Sequence, residues 1–171
     1  SESRIMATLL ITLTRHSDGS SVLRCTRADG TTTWQKSTGR SGAFFPAHDL
    51  THYAVETTLG CRHGFYGLLA AGWEIDDFAD PARRGRIPEE ARRVEAIVGV
   101  LDLQRATASE CDARTLRARL GTMGAEDTRM DELLALLDVT TLARIMEVRD
   151  ELLERWAAIP AGGALTLEFT T

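Results

Sequence analysis

The chain has 171 residues, 43% of them hydrophobic and 26% charged, the balance of a globular domain with its own core and not of a disordered or fibrous chain. Its net charge of -5 disfavours a nucleic-acid partner, because phosphate binding needs clustered positive charge. No apolar run approaches the roughly 20 residues of a membrane-spanning helix, and three widely spaced cysteines without a C-x-x-C pair point to a reducing, cytoplasmic setting with no disulfide framework.

Residues 5 to 14 alternate: Ile5, Ala7, Leu9, Ile11 and Leu13 share one face, and Thr8, Thr12 and Thr14 the other. That is a half-buried strand. The run has no basic flank or small-residue cleavage site, so it does not read as a signal peptide. Ser17-Asp18-Gly19-Ser20 marks a turn, and Val22 to Arg27 a second strand. Asp29-Gly30 is a two-residue hairpin signal of type I′, leading into a third strand from Thr31 to Lys36. The polar, Gly-rich stretch from Ser37 to Gly42 reads as a loop. Phe44-Phe45-Pro46 after it is either core-facing or a mobile edge over a pocket.

Ala47 to Leu59 suits a helix, with Gly60 as its left-handed cap. Gly64 to Ala71 suits a short second helix. Trp73 to Pro81 reads as an acidic, aromatic loop, and Arg83, Arg84 and Arg86 as a solvated basic patch. From Pro88 to about Gln104 the spacing of Ala91, Val94, Ile97, Val98 and Leu101 predicts a long helix. Ser109 can cap a helix that stops at Gly121, and Thr128 can cap the next, with Leu133, Leu134 and Leu137 as its stripe. Thr140 and Thr141 mark a break before a last helix reaching Trp156, and Leu165, Leu167 and Phe169 alternate in a final strand. The fold class is therefore α+β: a single domain over 1–171, with an antiparallel sheet formed by an N-terminal three-stranded meander and a C-terminal strand, packed against a helical middle.

Chemistry concentrates at His48, His52 and His63, three of the four histidines. On a helix, His48, Asp49, His52 and Glu56 fall within about a quarter of the circumference, opposite a core side of Leu50, Tyr53, Ala54 and Thr57. His48-Asp49-Leu50-Thr51-His52 resembles the H-E-x-x-H motif of zinc hydrolases with Asp in place of Glu. That resemblance implies a divalent metal such as zinc on His48 and His52, with an acidic residue activating its water. Asp49 and Glu56 are the acid/base candidates. Glu56 lies about 12 Å along the axis from His48, so a third ligand must come from elsewhere: His63, Cys61, Glu74, Asp76 or Asp77. Closing His48, His52, Cys61 and His63 around one ion would instead make a structural zinc site. A plainer possibility is a hydrated polar helix face. Cys61, beside Arg62, is either an activated thiol or an inert buried one.

The segment from Pro46 to Glu56, followed by Leu59-Gly60 and Gly64-Phe65-Tyr66-Gly67, resembles a P-x-H-D-L-x-H-x-x-V-E motif of small uncharacterised bacterial proteins, a likeness that implies no activity. The His48-Asp49 pair is also similar to that of the phosphohydrolases named after it, whose pattern needs a further upstream histidine on a helix. His16 falls in a strand or turn. The expected function is a divalent-metal or acid/base site on the helix near residues 47–60, hydrolytic in type, with no small-molecule ligand identified by the sequence. The alternative is a non-catalytic interaction module, homodimeric through Leu133 to Trp156. P-loop, dinucleotide and serine-hydrolase patterns are missing.

Overall fold

The computed structural model describes residues 8–107, 110–123 and 128–171. Ile5 and Ala7, expected in the first strand, and Ser109, expected as a cap, lie outside the described residues. Four strands, β1 (Thr8–Arg15), β2 (Ser21–Arg27), β3 (Thr32–Ser37) and β4 (Ala164–Thr170), form an open antiparallel sheet in the order β3-β2-β1-β4. The α+β class and the joining of the last strand to the N-terminal sheet are as expected, and the strand it pairs with is β1. Ile11 faces Cys25 on one side and Leu167 on the other, so alternate residues of three strands reach the same face. Leu9, Ile11, Leu13, Leu23, Cys25, Leu165, Leu167 and Phe169 are all buried there. Each large aliphatic among them contributes about 1.5–3 kcal/mol.

Both hairpins of the meander use one device. Gly19 N–H donates to His16 O and Gly30 N–H to Arg27 O, while His16 and Arg27 bond back to Ser20 and Thr31. Each loop thus has three residues, with glycine left-handed at φ +84° and +85°, where a side chain would be strained. The two-residue turn expected at Asp29-Gly30 is replaced by this longer one. Asp18 Oδ1 and Asp29 Oδ1 accept from the backbone and hydroxyl of Ser20 and Thr31 two positions on, which makes the longer loop the better-bonded choice.

The helical part consists of α1 (Gly39–Leu59), α2 (Phe65–Ala70), α3 (Pro81–Arg84), α4 (Glu89–Ala106), α5 (Ala113–Met123), α6 (Thr128–Leu136) and α7 (Val139–Ala157), with a 3₁₀ turn at Ile75–Phe78. The Gly-rich segment expected to be a loop is the first turn of α1, which runs through Pro46. Pro46 has no N–H to give the carbonyl of Gly42. The hydroxyl of Ser21 donates to that carbonyl instead, at 3.2 Å. Gly42 is needed for the contact, because a Cβ there would lie 2.6 Å from Gly19 O. The sheet therefore stabilises a helix start that proline and glycine alone would disfavour.

Helix α1 is the wall between two cores. Its Leu50 packs with the sheet, Tyr66 and Leu69 of α2, and Leu152 of α7. Ala54 and Val55 pack with Val94, Ile97, Val98 and Leu101 of α4 and with Leu142 and Ile145 of α7. The α4 stripe is the one the spacing predicts, and all five residues, Ala91 included, are buried. Because α4 covers the polar arc of α1, which is therefore not a hydrated face, Asp49, His52 and Glu56 are buried while Thr57, assigned to the core side, is exposed.

Three boundaries differ from expectation. Helix α5 continues past Gly121 to Met123, and Asp112 Oδ1 accepts the Thr115 N–H at its start. The break before α7 falls at Asp138, whose carboxylate takes the Thr141 N–H and so moves the cap ahead of the two threonines. The apolar residues of α7, Leu142, Ile145 and Leu152, turn into the cores of this chain. Among the described residues no helix is long and apolar enough to cross a membrane.

Arg27 fixes the segment that faces α1. From the end of β2 its guanidinium donates to Leu69 O at 2.7 Å and Trp73 O at 2.6 Å. That ties the end of α2 and the approach to the 3₁₀ turn to the sheet, and so positions Phe65 and Phe78.

Candidate metal centre

Helices α1 and α4 meet through two pairs of polar side chains. His48 Nδ1 lies 2.6 Å from Asp102 Oδ2, and one turn later along α1, His52 Nε2 lies 3.3 Å from Glu95 Oε1. The order reverses on α4, so the helices run antiparallel across the site. A ligating atom from each of His48, His52 and Glu95 lies within 4.8 Å of the other two. His48 is also held by the Phe44 ring stacked at 5.3 Å and the Phe45 ring edge-on at 5.8 Å. The two imidazoles meet edge to face at 4.8 Å.

Behind each histidine sits a carboxylate. His52 Nδ1 faces Glu56 Oε2 at 3.2 Å, and the other oxygen of Glu56 accepts the Tyr66 N–H at 2.9 Å. Glu56 therefore ties α1 to the first turn of α2, whose amide has no partner within its own helix. With Nδ1 of each ring directed at Asp102 or Glu56, Nε2 is left to face an ion. Asp102 Oδ1 is buried and accepts no hydrogen bond from the described residues.

The electrostatics follow from four carboxylates around two imidazoles. Burial disfavours the charged form of His52, but hydrogen bonds and charges from Glu56 and Glu95 outweigh it and lift its pKa to about 10. For Glu95 burial pushes upward, yet the bond from His52 and the charges of His52 and His48 bring it below the usual value. Asp49 is raised to about 7 by burial, against the pull of His48 and His52 and with the charges of Asp102 and Glu95 adding to the rise. Tyr66 OH donates to the backbone carbonyl of Asp49 at 2.8 Å, not to its carboxylate. Asp49 is among the residues lining a cavity of about 380 Å³, with His48, His52 and Glu95.

Of the residues singled out by sequence, His48, Asp49, His52 and Glu56 are brought together. The others stand elsewhere. His63 is exposed and gives its backbone N–H to Glu90 Oε1 at 2.6 Å. Glu74 pairs with Arg27 at 3.3 Å and exchanges a capping box with Asp77 across the 3₁₀ turn. Cys61 is buried, and its thiol is pushed up to about 12 by burial, with the charges of Glu90 and Glu56 adding, which leaves it protonated and a poor nucleophile. The group that stands with His48 and His52 is Glu95, and not His63, Cys61, Glu74, Asp76 or Asp77, the candidates for a third ligand. The chain turns away from the polar arc after the Gly60 cap at φ +65°, and α4 takes that place.

Glu95 and Asp102 carried a signal that periodicity could have found. Seven residues apart, they differ by only about 20° around a helix, on the strip that also holds Ala91 and Val98. Acids bordering an apolar stripe ordinarily reach water, so the pattern reads as a solvated margin. Comparison with protein-family models, curated proteins and solved structures finds no match, and the geometry of His48, His52 and Glu95 is what defines the site.

Proposed function

We propose that the protein is a metal-dependent hydrolytic enzyme whose divalent ion, zinc in the first instance, is held by His48, His52 and Glu95. The observation that carries this reading is the convergence of those three ligating atoms within 4.8 Å of one another. The 3.3 Å between His52 Nε2 and Glu95 Oε1 is already the ligand separation of a tetrahedral ion with bonds of about 2.0 Å. Asp102 and Glu56 are the outer carboxylates that orient the two rings and raise their basicity as ligands. In the metal-free protein His52 holds a proton between two carboxylates. A divalent cation replaces that proton and answers the same excess of negative charge.

Two histidines and a glutamate with a fourth position open is a donor set of catalytic zinc, in which the ion lowers the pKa of its bound water to about 7. Asp49 borders the cavity next to both histidines and is the group to take the proton from that water. Glu95, 59% exposed at its side chain, gives ion and water a route from solvent. Cobalt substitution tests the reading: the wild-type protein should take up Co²⁺ with the visible spectrum of a tetrahedral nitrogen/oxygen site and gain chelator-reversible ester hydrolysis. A spectrum unchanged from aqueous cobalt, or hydrolysis that survives chelation, contradicts it.

A further inference from the structure

The surroundings of the metal centre say what kind of molecule fits it, an inference that rests on the hydrolytic reading above. The 380 Å³ cavity runs from His48 and Asp49 toward Gln35 of β3. A second cleft of about 370 Å³, bordered by Ile87 and Ala91, shares His52, Phe65, Phe78 and Glu95 with it. The centre thus stands where two clefts meet, in a volume suited to a small organic ligand.

Aromatic rings wall the first cleft. Phe65 and Phe78 lie 5.0 Å apart at 58°, and Phe65 stands 5.2 Å from the His52 ring. Trp73 backs Phe78 at 5.4 Å and carries the Arg83 guanidinium 5.9 Å from its own ring centroid. Phe45, which also lines this cleft, meets His48 edge-on. A flat ring entering here has Phe45, Phe65 and Phe78 among its walls, side chains that pair with other rings offset or edge to face.

Charge is the second discriminator. The residues lining the first cleft include neither lysine nor arginine, while Asp49 and Glu95 are among them; the second cleft has a single cation, Arg92, beside Glu95. A transferring phosphoryl group spreads negative charge over three oxygens and calls for several cationic partners. In the first cleft it would have the ion as its one strong cationic partner, with the Asp49 and Glu95 side chains opposing it. A neutral carbonyl compound meets no such penalty, and its oxygen can be polarised by the ion. The Gln35 amide, at the far end, can donate to or accept from a neutral polar group.

We propose that the cleft accepts a neutral carboxylic ester or amide bearing an aromatic ring, with the ring against Phe65 and Phe78 and the carbonyl at the metal centre, and that it rejects phosphate esters. In the hydrolysis, the oxygen of water bonds to the carbonyl carbon and the bond from that carbon to the leaving oxygen or nitrogen breaks. One water proton passes to the leaving alcohol or amine, and the acid product retains or releases the other. Oxidant and reductant are not involved.

The test separates this proposal from the metal reading by using benzamide and phenyl phosphate as probes on metal-free protein, followed by NMR of the aromatic side chains. Benzamide should bind saturably and shift the Phe65 and Phe78 ring signals, and phenyl phosphate should not. Phe78→Ala should weaken benzamide about tenfold, and Phe78→Leu, which keeps more of the packing, should weaken it less while remaining folded. Equal binding of the two probes, no binding of benzamide, or unchanged affinity in both Phe78 variants overturns the proposal. Zinc uptake is measured separately. If benzamide binds and zinc does not, the cleft's preference stands and the metal reading falls.

Discussion

Raising the pH of the metal-free protein from 6.5 toward 10 should make it easier to unfold, and His52 is the reason. Burial opposes the imidazolium, but Glu56 and Glu95 together lift its pKa from 6.5 to about 10 in the folded state. Between those values the folded protein keeps a proton that the unfolded chain has released. The stabilisation is complete below 6.5 and is lost as the pH climbs through 10. At 1.36 kcal/mol per unit the ceiling is about 5 kcal/mol. Glu95 is 59% exposed at its side chain, and solvent screening of that partner reduces the expected loss to about 2–4 kcal/mol. Asp49, raised from 3.8 to about 7, also makes the protein less stable as pH rises, but its window closes near 7; above about 9 the buried thiols of Cys25 and Cys61, both pushed up to about 12, add a loss of the same sign, which wild type and His52 variant share. Urea unfolding across the range gives the profile, and His52→Gln supplies the baseline. The wild type should lose stability over the upper range relative to the variant. Parallel profiles would refute the assignment of a retained proton to His52.

Other perturbations separate the ligands from what supports them. Asp102→Asn removes the charge 2.6 Å behind His48 without removing a ligand, and should weaken zinc binding about 10–100-fold by calorimetry. Gly64→Ala places a Cβ 2.5 Å from Glu56 Oε1. Glu56 is fully buried and has nowhere to retreat, so the variant should lose about 1–3 kcal/mol and weaken zinc as well. Leu101→Ala, in the helical core and 1% exposed, should lose about 2–5 kcal/mol and leave zinc affinity within experimental error. If it lowers affinity as much as Asp102→Asn, the distinction between packing and ligand orientation fails.

Local pattern carried much of the fold and only half of the site. Alternation located β1 and β4 because each has one wet and one buried face, and helical spacing located α4 because Val94, Ile97, Val98 and Leu101 all enter one core. The first turn of α1 was not legible, because what permits it is the bond from Ser21 on β2 to the carbonyl that Pro46 leaves unpaired. The same limit applies to the site. His48, Asp49, His52 and Glu56 are neighbours on one helix, and their spacing announces them. Glu95 and Asp102 join them only through the packing of α4 on α1. That contact also reverses the character of the arc, from one that could have been hydrated to one where Glu56 is fully buried between two helices.

The central claim is that His48, His52 and Glu95 hold one divalent ion, and a zinc titration of the metal-stripped protein addresses it most directly. The wild type should bind one equivalent and release protons as His52 gives up its own. Glu95→Gln should bind more weakly, and the His48→Ala, His52→Ala double variant should bind none at that site while remaining folded by circular dichroism. Zinc bound with unchanged stoichiometry and affinity by the folded double variant, or no zinc bound by the wild type, would contradict the account.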